Sequence, residues 1–270
     1  MSALALGLGL PAGAGAVRDP DAAAIMAAMA VPPGEVRAGQ VDRLVTALKG
    51  CGVWQKLDSL FVFAAHHEQA ARIDWKQPAR VAVAHGDPVF EPDRGWAFDG
   101  VDDYLATGFV PFEHCTQATG TAGCHGIYER TNLPATGVYS YAASMTSSRN
   151  LAMIARTAGD LCAGSHNHSA TGAQVVSTDS RGLWVYQRDT AAGEYFRNGV
   201  SQGAVQPTAP GNDLVALEVY VGARNANGTV DGRRASRPTA FFVGAAMNLA
   251  EHAAFYRALQ GYMSAAGAGV

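Results

Sequence analysis

The sequence predicts a mainly β protein, a jelly-roll type of β-sandwich with an N-terminal arm, flanking helices and one C-terminal helix. Three observations carry this. From Leu60 onward, roughly a dozen short apolar or alternating runs are separated by Gly, Pro, Asn and Asp. The 270 residues include 31 Gly and 12 Pro, too many breakers for a helical bundle. No helix-period stretches stand between the strand-like runs, which argues against βαβ units. The formal charge is −3, from 20 Lys+Arg against 23 Asp+Glu, with no basic cluster. That excludes a broad nucleic-acid footprint. A hydrophobic share of 48% excludes a wholly disordered chain.

The elements follow in order. Leu4, Leu6, Leu8 and Leu10 alternate with Ala or Gly, which puts all four leucines on one face of an extended strand. Glycines weaken a free strand, so the arm is expected to be held by a partner, most simply the edge or groove of a neighbouring subunit. Folding back on its own domain is the alternative. Burying four leucines at ~1.5–3 kcal/mol each would offset the cost of ordering them. Residues 1–17 are uncharged but Gly/Pro-broken and lack a basic start, so neither a membrane span nor a signal peptide is expected. Residues 1–20 form the arm and linker. Residues 21–58 are read as helical: Asp21 caps a helix over 22–29 that Pro32-Pro33 stops, and a second runs over about 38–57. The body, 59–270, holds strands near 60–64, 81–84, 96–99, 104–107, 126–130, 138–144, 151–156, 161–165, 173–178, 183–188, 194–197, 216–223 and 241–244. A final helix is capped by Asn248 with Glu251 at the reciprocal position.

Several of these runs, taken in order, resemble one family. Phe98-Asp99-Gly100-Val101-Asp102-Asp103-Tyr104-Leu105, continued by Thr107-Gly108-Phe109, is similar to the opening strand pair of laminin-G-like, concanavalin A-like domains. Tyr195-Phe196-Arg197-Asn198-Gly199-Val200 resembles their Asn-Gly hairpin. Val221-Gly222-Ala223-Arg224-Asn225 and Phe242-Val243-Gly244 resemble their late strands, and residues 248–263 their closing helix. The stretch from Val53-Trp54 to Ile73-Asp74-Trp75 is similar to lectin-like modules of tailed-phage and phage-derived particles. The resemblance covers about 57–265. It implies an accessory virion protein, a fibre, spike or baseplate appendage, displaying a glycan-binding sandwich on the particle surface after assembly in the bacterial cytoplasm. Its implied partners are other particle proteins, reached through the arm in a multimeric assembly, and host surface polysaccharide; neither nucleic acid nor membrane insertion is implied.

Candidate sites are few. Asp99, Asp102 and Asp103 cluster at one turn, where hard oxygen ligands would suit sugar hydroxyls or calcium. Turn support is the plainer role, since one turn supplies too few oxygens for the ion. The polar loop with Asn225, Asn227, Asp231 and Arg233 offers donors and acceptors for a sugar. Trp75 offers a ring to stack on one, whereas Trp96 and Trp184 sit in strand-like runs and read as core. His166-Asn167-His168 places two imidazoles together, but no third ligand is evident and a surface or loop role fits better. His114-Cys115 and Cys124-His125 match no structural zinc spacing, so no metal is expected there. Cys115 and Cys124 are placed to pair across a hairpin, although four small buried apolar side chains is the simpler reading.

Catalytic words are incomplete. Glu91-Pro92-Asp93 starts a glucanase-like carboxylate strand that Arg94-Gly95-Trp96 does not finish. His67-Glu68 starts a zincin word, but Ala71 stands where the second His belongs. The expectation is therefore a non-catalytic, glycan-binding protein without cofactor. The alternatives are a purely structural spacer or decoration subunit, and a polysaccharide-degrading enzyme.

Overall fold

The computed structural model describes residues 18–168, 174–190, 192–205 and 213–270. Leu4, Leu6, Leu8 and Leu10 lie outside the described residues, and with them the anchoring expectation.

Two helices lead into the body. Helix α1 (Pro20–Ala27) is started by the Asp19 carboxylate, which accepts from the Asp21 N–H, with proline at its first position. Helix α2 (Glu35–Gly50) presents Val41, Leu44, Val45 and Leu48 at helical spacing as a buried stripe. Lys49 bridges the two, 2.7 Å from Asp19 and 2.6 Å from Asp21. The second helix thus stops well short of residue 57. Gly52 takes a positive φ of 75°, a 3₁₀ turn follows over Trp54–Lys56, and Leu57 already begins a strand.

The strands form a sandwich. The first sheet has the spatial order Val200–Val205, Ala192–Arg197, Gly182–Asp189, Ala122–Glu129, Pro238–Gly244, Leu57–Val62, Ile73–Asp74, Gln77–Val81. The second runs Gln174–Val176, Leu161–His166, Arg149–Ile154, Tyr141–Thr146, Tyr220–Val221, Tyr104–Ala106, Val83–His85. Neighbouring strands pair antiparallel, save that Arg224–Ala226 runs parallel to Tyr141–Thr146 and forms a hairpin with Thr229–Asp231. A small sheet of Ala235–Ser236, Gly95–Asp99 and Val89–Glu91 closes one end. Asn198 and Gly199 both adopt positive φ, so the Asn-Gly hairpin turn read from the sequence forms.

The two sheets meet through their inner faces, where the Tyr141 and Phe241 rings lie 4.8 Å apart. Trp184, Met153, Leu105 and Phe61 fill the same core. The opposite face of the first sheet is covered by α3 (Leu249–Ala266), whose Phe255 ring meets Phe242 at 4.6 Å. Both halves of the capping box at Asn248 and Glu251 are present. Helix α2 packs on α3, and one continuous apolar cluster joins helices and sheets. All four cysteines are free thiols, so Cys115 and Cys124 do not pair. No helix among the described residues is long and apolar enough to cross a membrane.

Candidate functional site

With one outer face of the sandwich under helices, the outer face of the second sheet is the surface to search. Leu105 and Val221 point into the core, so the two-residue period turns Tyr104, Ala106 and Tyr220 outward. Pairing with the edge strand then sets His85 beside Tyr104 and Val83 beside Ala106. The result is a row of rings across three strands: His85 to Tyr104 at 4.5 Å and nearly parallel, Tyr104 to Tyr220 at 4.8 Å. Val230, from the hairpin folded alongside, packs against this row. The row is separate from the main core.

Charge surrounds it. Arg233 makes no hydrogen bond or ion pair among the described residues, and its Nε is buried without a partner. Burial lifts the Tyr104 hydroxyl above its ordinary value; the Arg233 charge works in the other direction and Glu218 in the same one. At the far side Arg224 clamps Asp231 with two hydrogen bonds of 2.7 and 2.5 Å and sits 4.9 Å over the Tyr139 ring.

At the ends of the same strands lies the acidic turn. Asp87 follows His85 by two residues, and Asp103 directly precedes Tyr104. Asp99 Oδ1 accepts from the Val101 N–H at 2.7 Å, which with neighbouring amides holds this carboxyl below its usual range. Asp103 is 4% exposed; its Oδ1 accepts from the Asp87 N–H at 2.9 Å and its Oδ2 from the Asp99 N–H at 3.0 Å. Burial raises the Asp103 carboxyl, and the like charges of Asp99 and Asp102 add to the shift. Gly86 turns with φ 71°, and a Cβ there would stand 2.5 Å from Asp103 Oδ1, so glycine is required for the carboxyl to reach the strand end. Carboxylate oxygens of Asp99, Asp102 and Asp103 lie within 4.8 Å of one another. Beside them opens a cleft of about 410 Å³ walled by Phe98, Val89 and Arg237. Arg237 is tied to Glu91, which also receives Arg130 at 2.5 Å.

The residues read from the sequence thus divide. Asp102 and Asn227 are exposed, and Asp231 and Arg233 half-exposed, around this face. Trp75, 2% exposed, meets Tyr262 edge-on at 5.8 Å in the core, so it has no ring to offer a sugar. Asn225, 4% exposed, donates to the Glu218 carbonyl and accepts from the Gly228 N–H, which ties its amide to its own hairpin. Asp103 clamps backbone rather than facing solvent. These three expectations are corrected by burial. His166 and His168 are likewise wholly buried rather than on a surface loop. The sequence reading missed His85, Tyr104 and Tyr220. Alternation around Leu105 was available as a signal for Tyr104, but strand pairing across more than a hundred residues was not.

No protein-family model and no curated protein matches the sequence. Solved structures are similar in fold. A mutant of Trypanosoma rangeli sialidase displaying trans-sialidase activity covers 86% of this chain at 11% identity with TM-score 0.50; this chain spans 40% of it. Trypanosoma rangeli sialidase in complex with 2,3-difluorosialic acid covers 81% at 12% identity with TM-score 0.53; this chain spans 38% of it. Domain 4 of AbnA, a GH43 extracellular arabinanase from Geobacillus stearothermophilus, in complex with arabinotriose, covers 74% at 8% identity with TM-score 0.47, too distant to argue from. At these identities the likeness shows the fold alone, a concanavalin A-like β-sandwich. The expectation of a chain without catalytic activity is overturned by this comparison. Sialidase chains contain this fold, so the lack of a familiar catalytic word no longer excludes glycoside chemistry.

Proposed function

We propose that this chain is a carbohydrate-recognising β-sandwich whose binding face is the outer side of the second sheet. One observation carries the reading: the row His85, Tyr104 and Tyr220 stands outside the core with the unpaired Arg233 beside it. A sugar ring has C–H faces that pack on aromatic rings and hydroxyls that need both donors and acceptors. The exposed side of His85 offers the first; Arg233, Asp102 and the exposed Asn227 amide, one N–H of which donates to the Met145 carbonyl, offer the second. A polar rim around a small aromatic platform on a rigid scaffold is how sites of this kind are built. The fold of the sialidase structures supports the reading without specifying the ligand. A particle-borne role, implied by the sequence resemblance, has no support among the described residues, and this reading does not require it. The test is calorimetric titration of the protein with neutral, sialylated and uronic oligosaccharides. Binding weakened about fivefold in His85→Ala supports the face; undiminished binding in that variant overturns it.

Glycoside hydrolysis is the second reading, favoured by the neighbouring carboxyls. Backbone amides hold Asp99 low while burial pushes Asp103 up, so two carboxyls of one turn differ in proton affinity, as acid–base pairs do. Release of reducing ends from polysaccharide, abolished by Asp99→Asn in a folded protein, would establish it. Binding without release would leave recognition alone.

A further inference from the structure

A second group of titratable side chains, unused by the proposed function, lies between the sheets. His125 stands on Ala122–Glu129 of the first sheet, and His166 ends Leu161–His166 of the second. Their rings are 5.7 Å apart and 17° from parallel. With His168 they are fully enclosed. His166 Nε2 lies 2.7 Å from the Thr119 carbonyl oxygen, which only accepts, so this nitrogen carries the proton and donates it. Its Nδ1 is buried with no partner. His125 Nδ1 meets the Tyr141 hydroxyl at 2.5 Å, and its Nε2 is buried with no partner. His168 Nε2 meets the Tyr186 hydroxyl at 2.5 Å. A proton added to His166 would therefore point an N–H at no acceptor inside an apolar core; at His125 the Ser165 backbone favours the proton, but burial outweighs it.

The groups facing the cluster do not relieve that charge. Strand Tyr141–Thr146 contributes Tyr141. Strand Gly182–Asp189 contributes Tyr186 and the buried Arg188, a cation that donates to the His166 carbonyl at 2.9 Å. Strand Ala192–Arg197 contributes Tyr195, whose ring is 4.9 Å from Tyr186. The turn at Thr119 contributes only its carbonyl. No carboxylate pairs with the His125 or His166 imidazole among the described residues, and residues 1–17, 169–173, 191 and 206–212 contain no Asp or Glu.

We propose that this cluster is an acid-sensitive joint: proton uptake at His125 and His166 parts the two sheets at this end, so the sandwich is closed near neutrality and opens in acid. Burial drives both imidazoles to low proton affinity, His125 well below its ordinary value and His166 down to about 4. An opened or unfolded chain binds protons at these rings from about pH 6.5, so the closed form is fully favoured above that pH and loses ground as pH falls through it.

Cys124 neighbours His125, and Cys162 lies on the strand of His166; both are buried thiols that can be labelled only on opening. In a Cys51→Ser/Cys115→Ser protein their reaction with 4,4′-dipyridyl disulfide is followed at pH 7.5 and pH 5, each rate divided by that of a free cysteine peptide. Acceleration of about thirtyfold or more at pH 5, reduced by His166→Gln and by His125→Gln, is expected. No acceleration overturns the proposal, as does acceleration that both variants retain. Should the variants fail to fold, ¹⁵N imidazole spectra of the unaltered protein decide. Imidazoles that stay neutral until the sheets part support the joint, and imidazoles that titrate in the closed sandwich overturn it.

Discussion

His85 and Tyr104 lie face to face across the strands Val83–His85 and Tyr104–Ala106, ring centroids 4.5 Å apart and planes within 3°. One side of the Tyr104 ring is therefore occupied by His85, and Tyr220 approaches it at 4.8 Å. His85, at the exposed end, is the ring with a free face. Replacing His85 by Ala should weaken sugar binding about fivefold, near the ~1 kcal/mol of one aromatic contact, with thermal stability almost unchanged. Tyr104→Ala should weaken binding more and also lower stability, because it removes the middle of the row. Titration calorimetry and thermal melts on the same preparations separate the two effects.

Asp58, on strand Leu57–Val62, ties down the segment 116–118. Its carboxylate accepts from the backbone N–H groups of Thr116, Gln117 and Ala118 at 2.7–2.8 Å. Asp58→Ala leaves three amides to find new partners. A loss of about 2–4 kcal/mol in denaturant unfolding is expected, with exchange of the Thr116–Ala118 amides faster than in the parent.

Asp74 is wholly buried and accepts from Arg80 at 2.7 Å, from the Ser59 hydroxyl at 2.9 Å and from the Leu60 and Lys76 amides. Removing the cation alone strands a buried carboxyl. Arg80→Met should cost about 3–5 kcal/mol, and adding Asp74→Asn should recover part of it. Equal losses in the single and double variants would mean that Arg80 acts through its packing on Phe109 instead.

Glu129 reports on pH in the direction opposite to the histidine cluster. Burial pushes its carboxyl up to about 7, only partly countered by Arg234. The folded protein thus holds this proton where the unfolded chain, titrating near 4.5, has lost it. The stabilising contribution is complete below about pH 4.5 and is lost as pH rises through about 7. Glu129→Gln should be more stable than the parent by up to about 3 kcal/mol at pH 8 and no more stable at pH 4.5. Urea titrations at both pH values measure the difference.

The class of fold was legible because it depends on local pattern. Short alternating runs, Gly and Asn at turns, and the Asn248/Glu251 capping box are written within a few residues of each other; the Asn-Gly turn and the capping box formed as read, while the run read over 216–223 is a strand only at Tyr220–Val221. The helix over 38–57 was overextended because apolar residues from Cys51 to Leu57 continue the helical spacing, while Gly52 ends the helix through its backbone angle. The acidic turn was legible as a cluster, but not the inward path of Asp103, which Gly86, in the bend after strand Val83–His85, permits.

What the sequence determined by itself is a β-sandwich with capped helices, because hydrophobic period and turn chemistry act between neighbours along the chain. Only the tertiary structure decided which aromatic and titratable groups meet. Tyr104 and Tyr220, and likewise His125 and His166, become neighbours through strand pairing and sheet stacking over long separations. A one-residue difference in register turns every side chain of a strand to the other face, and that choice is made by the packing of the whole core rather than by any local signal.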